Sequence, residues 1–133
     1  MSVSAIPDHL KDLFSFERPI VCALGTVMPS GQPQLTPVWF DYDGTHLIIN
    51  TARGRQKDRN MTRNAKVTIL ILDPQNPMHW AEVRGYVDEA TEVGGHAMIK
   101  RLALKYRGKE EYNLPEGQVR VTYKIAVTKV NGN

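Results

Sequence analysis

Six short segments separated by turn chemistry leave this chain few ways to fold. They span residues 20–28, 34–42, 46–51, 65–72, 79–90 and 119–130. Each is rich in Val, Ile, Thr or aromatic side chains, and several alternate with the period of two that sends every second side chain to one face of a strand. In 65–72, Val67, Ile69 and Ile71 oppose Lys66, Thr68 and Leu70; in 119–130, Val119, Val121, Tyr123, Ile125 and Val127 share a face. The breaks between them carry turn residues: Pro29, Ser30 and Gly31, then Asp43-Gly44, then Asp73 through Pro77. Asp-Gly is a strong two-residue hairpin signal. Pro37 cannot donate to a ladder and predicts an edge or a bulge, and Gly85 inside a strand predicts a bulge or a close backbone approach.

Helical patterns are fewer. In residues 7–15, Pro7 and Asp8 suit a helix start, and Leu10, Leu13 and Phe14 share a face. In 94–106, Ala97, Ile99, Leu102, Ala103 and Tyr106 predict an apolar stripe. The expectation is one α+β, mainly β domain over 1–133, a six-stranded antiparallel β-barrel with small flanking helices. Closure would remove the sheet edges. So small a barrel fills its interior with its own side chains, which puts a sizeable ligand outside it or at an interface.

Composition sets the class. Of 133 residues, 41% are hydrophobic and 23% charged, the usage of an ordered globular chain. The net charge of +3 suits an anionic small molecule better than nucleic acid, which calls for a denser basic stripe. The single cysteine, Cys22, excludes an internal disulfide, and no Cys/His set has metal spacing. The reading is a reducing, cytoplasmic setting with no metal. Residues 1–12 show no leader pattern, and no apolar run approaches the roughly 20 residues of a membrane span.

The stretch 51–64 breaks the β pattern. Arg53, Arg55, Lys57, Arg59 and Arg63 place five cations within eleven positions, following a strand and opening a helix. A helix N-terminus favours phosphate, arginine offers a planar fork and lysine a point charge. Gly54 permits close backbone approach, and Thr51 adds a hydroxyl. On composition alone the run reads equally as a solvated basic turn or as an anion site. It is neither a P-loop nor a Rossmann fingerprint.

The order of motifs resembles the pyridoxamine 5'-phosphate oxidase-like split barrels, the flavin/deazaflavin oxidoreductases. The resemblance rests on Leu24-Gly25-Thr26 with residues 30–40, on Thr51 with Gln56, Lys57 and Asn60, on 67–72 leading to Trp80 and Val83-Arg84-Gly85, and on Lys105-Tyr106 with the last strand. It implies a homodimer with cofactors in grooves between subunits. Carried over by position, Arg55, Gln56 and Lys57 would hold a phosphate, with Asn50, Thr51 and Arg63 assisting. Thr36, Pro37, Val38, Trp39 and Phe40 would run beneath the ring. Met78, His79 and Trp80 would cover the ring or tail from the second subunit. The chain also resembles the branch that uses coenzyme F420 rather than FMN, and Arg53, Arg59 and Arg63 could meet that coenzyme's acidic tail. The chain lacks the arginine-bearing tail of true pyridoxamine 5'-phosphate oxidase, which argues against vitamin B6 oxidation.

The implied reaction is hydride transfer to a small unsaturated or conjugated substrate. The cofactor carries the chemistry, so no catalytic side chain is assigned. The proton comes from solvent or from a residue such as His79. Trp39 and Trp80 suit either ring stacking or packing. Tyr106, Tyr112 and Tyr123 suit either a substrate pocket or packing, and Cys22 reads as an inert buried thiol. A non-catalytic flavin binder and a basic nucleic-acid module remain as other readings, the latter resting only on the charge run.

Overall fold

The computed structural model describes residues 5–133. Residues 1–4, which head the segment read as lacking a leader, lie outside the described residues. A 3-10 helix (Asp8–Phe14) comes first, and its Leu10, Leu13 and Phe14 are buried. The strands are β1 (Cys22–Val27), β2 (Pro33–Val38), β3 (Asp41–Tyr42), β4 (His46–Ala52), β5 (Lys66–Leu72), β6 (Trp80–Thr91) and β7 (Arg120–Gly132). Helix α1 (Gln56–Arg63) follows β4, and α2 (Gly95–Arg107) joins β6 to β7. The strands form one sheet in the order β2-β1-β5-β6-β7-β4-β3, with all neighbours antiparallel. No helix among the described residues is long and apolar enough to cross a membrane.

The sheet has seven strands where the sequence pattern predicts six. Segment 34–42, read as one strand, divides at Trp39 and Phe40. Its first part, β2, pairs with β1 at one edge of the sheet, and its second, β3, pairs with β4 at the other. Val38 and Asp41 are three residues apart, so they lie within roughly 11 Å of each other. One chain segment therefore ties both edges together, and the sheet curls round on itself into a split barrel. The chain leaves the β1 ladder at Val38 before it joins the β4 ladder at Asp41.

At the crossing the backbone needs other hydrogen-bond partners, and the last turn of α2 supplies them. The Phe40 N–H donates to the Tyr106 hydroxyl at 3.1 Å, and Lys105 Nζ donates to the Phe40 carbonyl at 2.9 Å. Tyr106 donates in turn to the Ile20 carbonyl at 2.6 Å. The Lys105 ammonium lies 4.2 Å from the centre of the Phe40 ring, and burial pulls its pKa down to about 8. The apolar stripe of α2 differs from the expectation accordingly: Lys105 is buried and Ala97 is exposed.

Inside the curl, Phe40, Leu47, Ile49, Ile69, Ile71, Val121, Tyr123, Ile125 and Val127 form the core with the 3-10 helix packed on it. β7 is buried on both faces over most of its length. Its inward set starts at Val121 rather than at Val119, which is exposed, and Arg120 is buried instead. The cover on that side is α2: a Cβ at Gly95 would meet the Arg120 carbonyl at 2.5 Å.

Pro33 and Pro37 lie on the edge strand β2, where a missing N–H costs little. The β6/β7 register shifts between Arg84 and Gly85, and a Cβ at Gly85 would fall 2.2 Å from the Ala126 carbonyl. The bulge and the close approach predicted for Gly85 are both present. Gly85→Ala is expected to destabilise the fold by about 2–3 kcal/mol, because the clash is with backbone that cannot step aside. Denaturant unfolding at unchanged m-value checks it.

Candidate functional site

Where the sheet splits, a cleft of about 180 Å³ opens between β2, β4, α1, α2 and the loop before β7. Its floor is Pro37, Val38, Asn50 and Thr51, and its walls carry Trp39, Tyr112 and four cations, Arg55, Lys57, Arg107 and Arg120. None of its lining residues is a carboxylate.

Each cation arrives differently. Arg55 is the N-cap residue of α1, and Lys57 lies in the first turn. The first N–H groups of a helix lack intrahelical acceptors and form its positive end. Neither the Arg55 nor the Lys57 side chain has a hydrogen-bond or ion-pair partner among the described residues. Burial, reinforced by the charges of Arg55 and Arg120, pushes the Lys57 ammonium below the ordinary lysine value. Arg120 opens β7 and is 3% exposed. Its Nε donates to Asn50 Oδ1 at 2.8 Å, one terminal nitrogen to Gln118 Oε1 at 3.1 Å and the other to the Asn50 carbonyl at 3.4 Å. No carboxylate among the described residues pairs with it, and burial lowers its pKa. Asn50 is itself fixed, donating to the Gly95 carbonyl and to Thr122 Oγ1, each at 3.0 Å. Arg107 lies 4.9 Å over the Trp39 ring and 5.6 Å from that of Tyr112, and Arg120 lies 5.4 Å from Tyr112. Trp39 stacks on Tyr106 at 5.1 Å with 6° between planes.

Thr51 adds a sharper feature. It is 1% exposed, lines the cleft, and its hydroxyl has no hydrogen-bond partner. A buried hydroxyl without a partner is costly. Together with a buried guanidinium that lacks a counter-ion, it marks the cleft as a place for an anion.

The structure brings together Pro37, Val38, Trp39, Asn50, Thr51, Arg55 and Lys57 of the residues singled out from sequence. It does not bring in the rest. Thr36 lies next to the cleft in β2, and its hydroxyl also lacks a partner. Phe40 is wholly buried in the core. Gln56 bonds to Asn60 and Arg59 along its own helix, and Arg63 donates to the Val27 carbonyl and to Asn60. Met78, His79 and Trp80 sit near the Gly132 end of β7, opposite the Arg120 end at the cleft. His79 is tied there to Asp12 and to the Asn133 carbonyl, which raise its pKa.

The remaining cations of the basic run are engaged within the fold. Arg53 pairs with Asp58 and Glu92, and Arg59 bonds to the Gly54 carbonyl and Gln56. Conversely, sequence reasoning missed Arg107 and Arg120. The signal for Arg120 was present: an arginine alone among the apolar residues that open a long strand. Tyr123 does not line the cleft; it is buried against Asp58. Cys22 is buried, and burial pushes its thiol up to about 12, as an inert thiol requires.

Fold and site together define a split β-barrel with a cationic, carboxylate-free cleft at the split. The chain belongs to the pyridoxamine 5'-phosphate oxidase family, whose model matches residues 6–132. Among solved structures it is similar to an F420 reductase, with 32% identity, a TM-score of 0.84, and coverage of 95% of this chain and 98% of that one. It shares the fold of HupZ from Group A Streptococcus at 22% identity and TM-score 0.69, covering 96% and 93% of the two chains. It also shares the fold of the protein Rv2991 from Mycobacterium tuberculosis at 21% identity and TM-score 0.71, covering 98% and 85%. No curated protein matches it.

Thr51→Val removes the unpartnered hydroxyl while keeping the shape. It is expected to stabilise the ligand-free protein by about 1 kcal/mol and to weaken anion binding. Thermal midpoints with and without inorganic phosphate check both signs.

Proposed function

We propose that this protein is an oxidoreductase that holds coenzyme F420 in the cationic cleft and transfers a hydride between it and a small unsaturated or conjugated substrate. The observation that carries the reading is the buried Arg120 guanidinium, without a counter-ion, beside the orphaned Thr51 hydroxyl and the unpaired Arg55 and Lys57. These donors fit a phosphate, which brings about −1.5 to −2 charges and several acceptor oxygens. The likeness to an F420 reductase at 32% identity supports the choice of coenzyme. When bound, the deazaflavin ring supplies the redox chemistry.

The chain's own residues bind and orient. Arg55 and Lys57 contact the phosphate, and Asn50 holds Arg120 at the correct angle. Pro37, Val38 and Trp39, which line the cleft, would hold the ring together with the neighbouring Thr36. Phe40 fixes this segment from the core. We assign no ligand contact to Gln56 or Arg63, which are engaged in α1. The second reading is FMN. With Arg53, Arg59 and Arg63 engaged inside the fold, fewer cations remain for an acidic tail.

The site is completed by a second copy of the chain. The outward faces of β2, β1 and β5 place Leu35 beside Gly25, Pro37 beside Ala23 and Leu70, and Leu72 beside Trp80. Leu35 is 70% exposed and Met78 68%, with Val21, Leu70 and Leu72 also exposed. An apolar face of this kind marks an interaction surface. It is continuous with the cleft through Pro37 and carries Met78 and Trp80 at its far end. A partner seated on it would bring Met78, His79 and Trp80 to the cleft they do not reach within one chain.

Titrating the purified protein with F420 and with FMN, followed by absorbance and fluorescence, tests the reading. F420 is expected to bind at micromolar concentration, and binding of neither cofactor would overturn it. Arg55→Ala with Lys57→Ala is expected to cost roughly 2–4 kcal/mol of that affinity, less than two fully buried charge-assisted bonds because Arg55 is exposed to solvent. Leu35→Glu is expected to convert the dimer to monomer in sedimentation and to weaken cofactor binding in parallel.

A further inference from the structure

Asp58 is a carboxylate on the helix that opens the cationic cleft, one residue from Lys57. Simple electrostatics says that its removal should help an anion bind. The geometry says otherwise. Asp58 is 5% exposed and is not among the residues lining the cleft. One carboxylate oxygen accepts from the Gly54 N–H at 2.9 Å. The other accepts from an Arg53 terminal nitrogen at 2.9 Å and from the Tyr123 hydroxyl at 2.6 Å. Its main-chain carbonyl accepts from Thr62 Oγ1 at 2.8 Å. Arg53 is held from the far side by Glu92 at 2.9 Å, and its N–H donates to the Val119 carbonyl at 2.8 Å.

These bonds close on one short stretch. Gly54 has φ of +94°, the left-handed region that only glycine enters freely, and nothing lies within 4 Å of where its Cβ would be. No side chain packs against the turn at Gly54; Asp58 holds its N–H, and the Arg59 guanidinium donates to its carbonyl. Gly54 immediately precedes Arg55, and Lys57 immediately precedes Asp58, so the clamp brackets both unpaired cations. Tyr123 anchors the clamp to the core strand β7, three residues from Arg120.

We propose that Asp58 is a positioning residue for the anion site: its carboxylate, neutralised by Arg53 and anchored by Tyr123, holds the 53–57 turn so that Arg55 and Lys57 converge with Arg120. This rests on the proposed anion-binding reading of the cleft. It assigns Asp58 and Tyr123 a role in affinity opposite to the one that charge alone predicts. An oriented pair of cations loses less freedom on binding, so the gain lies in residence time.

The test measures binding of inorganic phosphate and of FMN to the wild-type chain, Asp58→Asn and Tyr123→Phe, by calorimetry and stopped-flow, with thermal midpoints alongside. Asp58→Asn is expected to weaken both ligands about tenfold through faster dissociation, with association unchanged or faster because a negative charge is gone. Tyr123→Phe keeps the charge, loses one bond to it, and is expected to fall between the two. Asp58→Asn binding as tightly as wild type, or tighter, would overturn the proposal. So would a fall in binding stoichiometry at an unchanged dissociation rate, the signature of a fraction that has merely unfolded. If the wild-type chain binds neither of these ligands nor F420, the anion-site reading itself is overturned and Asp58 with it; this is read from the wild type alone, before any variant.

Discussion

The structure turns on the two residues at which a strand changes edges. Trp39 and Phe40 carry the chain from the β1 ladder to the β4 ladder, and the curl of the whole sheet follows. Such a crossing leaves main-chain groups without ladder partners in a place that water does not reach freely. The last turn of α2 takes them up: Lys105 and Tyr106 hold the Phe40 carbonyl and N–H. The same turn then builds the cleft, since Tyr106 stacks on Trp39 and Arg107 covers Trp39's ring. Closure and binding surface thus share one device. Lys105 sits in a setting that opposes charge, and burial pulls its pKa down to about 8. Its amine is retained because a carbonyl and an aromatic face stand in for water.

Much of the architecture was legible because local chemistry and tertiary role agreed. The alternation in 65–72 gives the buried face of β5 residue for residue, Pro37 lies on an edge, and Gly85 sits at a bulge against β7. The misses have separate causes. The split at Trp39–Phe40 is invisible to pattern, since Val38-Trp39-Phe40 reads as one unbroken apolar run and only the pairing partner changes. Val119 was misassigned because it lies one residue before β7, and Ala97 because alanine is too small to mark which face of a helix is buried. Arg120 was passed over because the first half of β7 is buried on both faces, where a period of two does not tell the inward residues from the outward ones.

The basic run shows the limit most clearly. Arg53, Arg55, Lys57, Arg59 and Arg63 look equivalent on the page. In the fold, Arg53 pairs with Asp58 and Glu92, Arg59 and Arg63 bind main-chain carbonyls, and only Arg55 and Lys57 face the cleft. The cations that complete the site, Arg107 and Arg120, come from elements far along the chain. A charge run therefore locates the turn and not the ligand set, and the third dimension decides which charges remain available.

That selection also bears on stability. Without a ligand, the cleft holds a buried guanidinium with no carboxylate, a lysine whose pKa is pushed down by burial and by its cationic neighbours, and a hydroxyl with no partner. Each is a cost to the folded chain that a well-packed apolar floor would avoid. An anion seated there would offset all three at once and would couple binding to folding through the same few atoms. β7 is the strand where this coupling enters the core. It carries Arg120 at its start and Tyr123 three residues on, the one facing the cleft and the other gripping Asp58. The cleft is thus joined to the barrel interior by a strand whose first half is buried on both sides.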